Sequence, residues 1–415
     1  MNKLLRSILY TLGALFIYRL GINITMPFVN SLLFTPDALF GNDSIFKVLT
    51  SFSGAAMDNA SIFTMGLGPY ISATILVQGL MNNVPRLKER LKTEGNSLIT
   101  RYNLYATLPI AINSARLVIN NIVLGYQSNT NLLYPNTKIT SLYVLGIISL
   151  VAGTMFLVWL ADVITEYGVG NGTSIIISAG ILNGVPKNIR QISVDGQLNL
   201  YLITLLLLVP AIILVETALR KIPLVYPQTT DFSHIKKEQN FLPLKVNLAG
   251  IMPALFTNQA LGMLRIFFKW LFKNQEIAMN NRFIKSLDGL ETLVTVLLVI
   301  LISYVYKDAY FRAEDIADRL QQKPVGMIPG VRPGKQTENY INRIANRLLF
   351  AGALYISAVS IFTVKLYVQL YFKTLPILAG TSILIVAVTS IDVSTKVGNQ
   401  LISELNRRKI FKAAE

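Results

Sequence analysis

Few residues in this chain have side chains suited to covalent or acid–base chemistry, and their spacing does not bring them together. Cysteine is absent, which removes disulfides, thiolate nucleophiles and sulfur-ligated metals. The one histidine, His234, lies in a polar loop, and a lone imidazole makes neither a metal site nor a triad. Two glycine-rich strings have the composition of phosphate cradles. GVGNG at 168–172 opens a helical run, but no strand precedes it and no lysine follows. PGVRPGK at 329–335 ends in Gly-Lys, yet Gly330 stands at the wrong spacing and Gln336 replaces the required Ser or Thr. The sequence therefore predicts no catalytic residues, no metal site and no cofactor. Any nucleotide hydrolysis falls to a partner.

The remaining polar chemistry is set in apolar surroundings. The chain has 415 residues, 52% hydrophobic and 14% charged, with a mean hydropathy of +0.50. Soluble domains carry about 25% charged residues, so these values identify an integral membrane protein. Asp162, Glu216 and Asp392 are expected near the ends of spans, where they reach water or headgroups. Arg19 can snorkel, whereas Arg116 and Arg265 lie deeper and call for a polar partner or an aqueous lining. No carboxylate sits near the centre of a span, which weighs against an ion-coupled transporter with a polar midplane site.

Apolar runs of about 18–25 residues mark helical spans. Ten are expected: 6–24, 63–82, 103–124, 140–162, 172–186, 200–219, 248–271, 290–310, 346–364 and 374–392. Lys and Arg number 25 in the termini and even-numbered loops, against nine in the alternate loops. The positive-inside rule then puts both termini in the cytoplasm. The net charge of +16 is in part this asymmetry, not a nucleic-acid footprint. Two long loops on the basic side, 220–247 and 307–347, mix Pro, Gly, aromatic and basic residues, and the second holds a short helical piece, AEDIADRLQQ. Either they dock a cytosolic partner or they form a solvated basic surface that holds anionic lipid.

Residues 51–82 are unusual among the spans. Ser51, Ser53, Gly54, Asp58, Asn59 and Ser61 suit lipid badly, and Gly66, Gly68 and Pro69 interrupt the helical run. Such backbone is tolerated at membrane depth only where protein buries it or where it lines an aqueous path.

Six strings along the chain resemble the SecY family, whose members are central subunits of Sec protein-conducting channels. They are LGPYISATILVQ at 67–78, ITEYGVGNGTSIIISAGI at 164–181, RKIPLVY at 220–226, LPLKVNLAGIMPALF at 242–256, IPGVRPGKQTENYI at 328–341 and GTSILIV at 380–386. The resemblance implies an all-α membrane fold of ten spans in two pseudo-symmetric five-helix halves, residues 1–190 and 191–415, arranged as a clamshell. It implies a plug over about residues 50–62, including Ser53, Gly54, Ala55, Ala56, Met57, Asp58 and Asn59. A ring of apolar side chains at the pore's waist would comprise Leu67, Ile71, Thr173, Ile177, Leu255 and Ile385, with Thr173 departing from the apolar pattern. Such a ring resists ion flow by dewetting and offers a passing polypeptide no fixed hydrogen-bond pattern.

A lateral gate would lie between spans 63–82 and 103–124 and spans 248–271 and 290–310, with Gln78, Asn113, Asn258 and Gln259 along its seam. The long loops would dock a SecA-type ATPase motor or a ribosome through Arg220, Lys221, Arg332 and Lys335. SecE-like and SecG-like small membrane subunits, a secretory preprotein and membrane lipids are the further partners implied, and nucleic acid is not bound directly. Departures from the general pattern point to the accessory SecY of Gram-positive bacteria, with a housekeeping or plastid member as the alternative. NNVPRLKERLKTEGNSLITRYN lacks a Gly-Arg-Arg run, GLGPY stands for GIMPY, and the loop between the sixth and seventh spans diverges.

Overall fold

Helices with apolar outer faces dominate the computed structural model. It describes residues 3–30, 59–84, 96–128, 138–194, 198–225, 241–250, 293–305, 313–322, 327–369 and 381–414, with isolated positions between them. The helices are α1 (Lys3–Ile22), α2 (Gly68–Asn83), α3 (Asn96–Ser128), α4 (Ile139–Tyr167), α5 (Gly172–Val194) and α6 (Leu198–Thr217). After a hairpin of β1 (Leu219–Pro223) and β2 (Phe241–Lys245) comes the short apolar helix α7 (Leu293–Val305). Then follow α8 (Ala313–Gln322), α9 (Lys335–Gln369) and α10 (Thr381–Ala414).

Five of these helices are long and apolar enough to cross a membrane: Leu4–Ile22, Leu98–Tyr126, Ile139–Tyr167, Lys335–Ile361 and Thr381–Glu404. Shorter apolar stretches are Gly172–Pro186, Tyr201–Thr217 and Leu293–Val305. Leu5, Leu9, Leu12, Phe16 and Leu20 lie exposed along α1, and Leu206 and Leu214 on α6 are more than 70% exposed. In water, apolar area on this scale would be a heavy penalty; against hydrocarbon it is the expected surface.

The chain folds into two compact units, Met1–Leu200 with Tyr371–Glu415, and Tyr201–Leu370. In the first, α3 and α4 pack around Met26, Met65, Ala111, Ala115, Ile119, Ile122, Leu142 and Leu150. Small residues let its backbones meet. A Cβ on Gly172 would fall 1.9 Å from the Ala161 carbonyl oxygen, so α5 starts against the wall of α4. Phe63 occupies the gap left by Gly21 and stacks between Tyr18 and Phe156.

In the second unit, β1 and β2 run antiparallel from Leu219 opposite Lys245 to Pro223 opposite Phe241. Ile222, Leu244, Ala313, Ile328 and Ile341 form a core with Ile316, Leu320, Ile344 and Leu348 around it. Helix α8 is amphipathic, turning Ala313, Ile316, Ala317 and Leu320 inward at helical spacing. Glu314 and Asp315 lie in its first turn and Arg319 in its last, which suits the helix dipole.

Candidate functional site

The interrupted run before α2 is held at its C-terminal end. The Met26 amide donates to the Ala60 carbonyl at 2.7 Å, and the Ile62 amide donates to the Ile24 carbonyl at 3.0 Å. The Thr64 hydroxyl donates to the Ser61 carbonyl at 2.5 Å. Ala56, Ala60, Ser61 and Met65 are fully buried. Ala60 has φ +47 and Gly66 φ +54, so the chain turns twice through the left-handed region before Pro69 begins the helix. Of the residues expected in a plug, Ala56 is buried and Asn59 half-buried; Ser53, Gly54, Ala55, Met57 and Asp58 lie outside the described residues.

Leu67 and Ile71 sit one turn apart at the start of α2, both buried. On α5, Ile177 is buried and Thr173 half-buried. Ile385 is buried on α10, which packs against α5. Leu255, expected to complete the ring, lies outside the described residues. So do Asn258 and Gln259 of the expected seam; Gln78 is half-buried on α2 and Asn113 exposed on α3.

GVGNG is a structural turn between α4 and α5, with Gly170 at φ +104. Its polar groups are tied to two other helices of the unit. The Val169 amide donates to the Thr11 hydroxyl of α1 at 2.9 Å, and Lys396 Nζ of α10 donates to the Gly170 carbonyl at 2.9 Å. The Gly172 amide finds the Thr165 hydroxyl at 2.9 Å.

The two long loops meet in one folded body. The hairpin joins the second loop through the Val225–Met327 bridge, whose amides donate to each other's carbonyls at 2.8 and 2.7 Å. PGVRPGK is the sharp turn before α9. Gly330 and Gly334 take φ +77 and +93, where a side chain would be strained, and the Thr337 hydroxyl donates to the Arg332 carbonyl at 2.9 Å. Arg332 and Lys335 are placed on this turn, and Arg220 and Lys221 are exposed on β1. Lys221 also lies 4.8 Å over the Phe241 ring.

Two buried polar groups in this unit escaped the sequence reading. Glu216, expected to reach water, is only 6% exposed. Asn247 covers it and donates Nδ2 to its carboxylate at 2.8 Å. Lys307 is likewise 6% exposed, with Nζ donating at 2.6 Å to Oδ1 of both Asn342 and Asn346. The asparagines' spacing of four, one helical turn on α9, was the available signal.

These features define a helical membrane protein that carries a folded, basic body on two of its loops. The SecY family model matches residues 61–394, and the chain belongs to the SecY family. It is 34% identical to protein translocase subunit SecY of Haemophilus influenzae, over 99% of this chain and 95% of that protein. Against SecY of Bacillus subtilis it is 33% identical, over 95% of this chain and 94% of that one. Among solved structures it shares the fold of a protein-conducting channel, with a TM-score of 0.64 at 15% identity over 97% and 94% of the two chains. Sec61 in the canine ribosome–channel complex gives a TM-score of 0.62 at 15% identity, with the same coverage.

Proposed function

We propose that this chain is the central, pore-forming subunit of a protein translocase that conducts unfolded secretory polypeptides across the cytoplasmic membrane. Family membership over nearly the whole chain supports this reading, and the single structural observation that carries it is the shared body of the two loops. A surface that gathers Arg332, Lys335, Arg220 and Lys221 on one small core suits docking of a SecA-type motor. A loop pair serving only to fix topology has no need of such a core. A guanidinium at a turn can hold a carboxylate in two parallel hydrogen bonds, which lysine cannot.

In this reading ten spans form two five-helix halves with both termini cytoplasmic. Leu67, Ile71, Thr173, Ile177, Leu255 and Ile385 ring the pore. The segment before Ala60 closes it from outside, and the tightly held stretch 60–66 is its fixed end. Gln78, Asn113, Asn258 and Gln259 line a lateral exit for apolar signal sequences, and SecE-like and SecG-like subunits complete the assembly. The divergent loops favour an accessory Sec system, which exports serine-rich glycosylated adhesins with its own motor; the relatives carry the plain SecY name, which fits a housekeeping role equally.

Photocrosslinking in membrane vesicles tests the channel reading. With a secretory precursor stalled in transit, probes at Ile71 and Leu255 should capture it while a probe at the lipid-facing Leu206 does not. A stalled precursor that touches neither position removes the ring assignment. Gene deletion separates the two systems: lethality or a general secretion defect counts against the accessory role.

A further inference from the structure

Helix α9 packs against several elements of the second unit along its length. Its first turns contribute Ile341, Ile344 and Leu348 to the core of the loop body. The adjacent stripe carries Asn342 and Asn346, which receive Lys307. Two turns further along, a Cβ on Gly352 would lie 3.3 Å from the Cα of Asn247, the residue bonded to Glu216. The helix thus gathers the loop body, the residue that follows α7 by two positions, and the end of α6 along a single length.

Lys307 is chemically the odd member of this set. Burying an ammonium is costly unless its donors are satisfied. Here two amide oxygens fixed on one helix take two of its three N–H groups. An apolar contact can slide along a helix face with little change in energy. A desolvated ammonium held by two oxygens one turn apart cannot shift by a turn without giving up one of those bonds.

We propose that Lys307 is a positioning residue, a strut that carries displacement of the docking body through α9 to the end of α7. This rests on reading the loop body as the motor-docking surface. Lys307 touches neither motor nor precursor. It sets how well a bound motor's movement reaches the membrane-embedded part of the unit, so its loss uncouples binding from transport.

The test uses the assembled channel, with its small subunits, in vesicles supplied with a purified SecA-type ATPase and a secretory precursor. Lys307→Met should leave the half-saturating motor concentration within about twofold and lower the maximal transport rate about tenfold, the scale of one charge-assisted hydrogen bond. Lys307→Arg, which keeps donors for both oxygens, should recover most of that rate. Asn346→Ala, a change at an exposed position that keeps the Asn342 bond, should give an intermediate rate and covers the case in which Lys307→Met fails to accumulate. The chain has no cysteine, so Lys307→Cys with Asn346→Cys can be bridged by a short crosslinker with two thiol-alkylating ends, such as a bis-maleimide. Bridging should restore transport. An unchanged maximal rate in Lys307→Met, or in Asn346→Ala where the former does not accumulate, overturns the strut. So does a rise in half-saturation as large as the loss of rate, since Lys307 would then merely hold the docking surface. Arg332→Glu, run in parallel, isolates the underlying reading: if it leaves half-saturation unchanged, the docking assignment fails whatever Lys307 does.

Discussion

Glycine-to-alanine changes at three helix positions give a graded test of how tightly the segment before α2 is seated. On α4, a Cβ at Gly153 would lie 2.2 Å from the Ile62 carbonyl oxygen, 2.9 Å from its carbon and 3.3 Å from Phe63 Cδ1. Ordinary carbon–oxygen contact is about 3.3 Å, so backbone must retreat by about 1 Å. Retreat is opposed, because the Ile62 amide is bonded to Ile24 and Phe63 already fills the space beside Gly21. Overpacking of this kind costs about 1–3 kcal/mol, and loss of the Ile62–Ile24 bond adds about 1 kcal/mol. At Gly146, seven residues earlier on α4, the new Cβ would meet only Ile119, its Cδ1 at 2.6 Å. That terminal methyl can swing aside for about 0.5–1.5 kcal/mol. Gly13 on α1 has nothing within 4 Å, so alanine there should be neutral or stabilise by up to about 1 kcal/mol. Thermal unfolding of the detergent-purified protein, followed by fluorescence-detected gel filtration, should rank Gly13→Ala above Gly146→Ala above Gly153→Ala. If the segment before Ala60 closes the pore as proposed, Gly153→Ala should also raise ion leak through the idle channel in vesicles. If Gly153→Ala melts with the wild type, or above Gly146→Ala, the close seating of Ile62 on α4 is refuted.

Two further sets of changes probe other parts of the molecule. Arg332→Glu should abolish motor-driven export while leaving membrane insertion of other proteins intact; normal export by that variant defeats the docking assignment. Thr11→Val removes the acceptor for the Val169 amide and should cost about 1 kcal/mol. Lys396→Met removes the other tie to the same turn from an exposed side chain and should cost less, because solvent already competes for that bond. Thermal melts that reverse this order would show the turn to be held otherwise.

Hydropathy locates the part of a helix that lies in lipid and is silent about where the helix continues beyond it. The apolar run at 374–392 marks α10, yet the helix extends to Ala414. The run at 346–364 marks α9, which begins eleven residues earlier at Lys335. Both extensions are too polar to register in a hydropathy window: intrahelical hydrogen bonds carry them, and at α9 Ile341 and Ile344 anchor the extension on the loop body's core. At α2 the error runs the other way. Apolar residues start at 63, but the left-handed Gly66 and the proline at the helix start put the first turn at Gly68. AEDIADRLQQ was legible as a helix because its apolar residues recur at helical spacing. The hairpin beside it was not, since strands of five residues, each containing a proline, give almost no alternation to read.

The site divides along a different line, between residues marked by their neighbours in sequence and residues marked only by neighbours in space. Arg332 and Lys335 lie within a glycine-bounded string, so the turn that carries them can be recognised in one dimension. Thr11, Val169, Gly170 and Lys396 share a junction across 158 and 226 residues of chain, and no local pattern joins them. Lys307 is the clearest instance. In the sequence it is one more basic residue at the end of a span, indistinguishable from those that set topology or meet headgroups. Burial against two asparagines on α9 changes its chemistry: a lysine facing water contributes charge, whereas one enclosed by amide oxygens contributes direction. The loop body and α7 are already joined through the chain, with the Phe311 amide donating to the Lys307 carbonyl at 2.7 Å; the two side-chain bonds of Lys307 add a tie to α9 that an apolar contact would not supply.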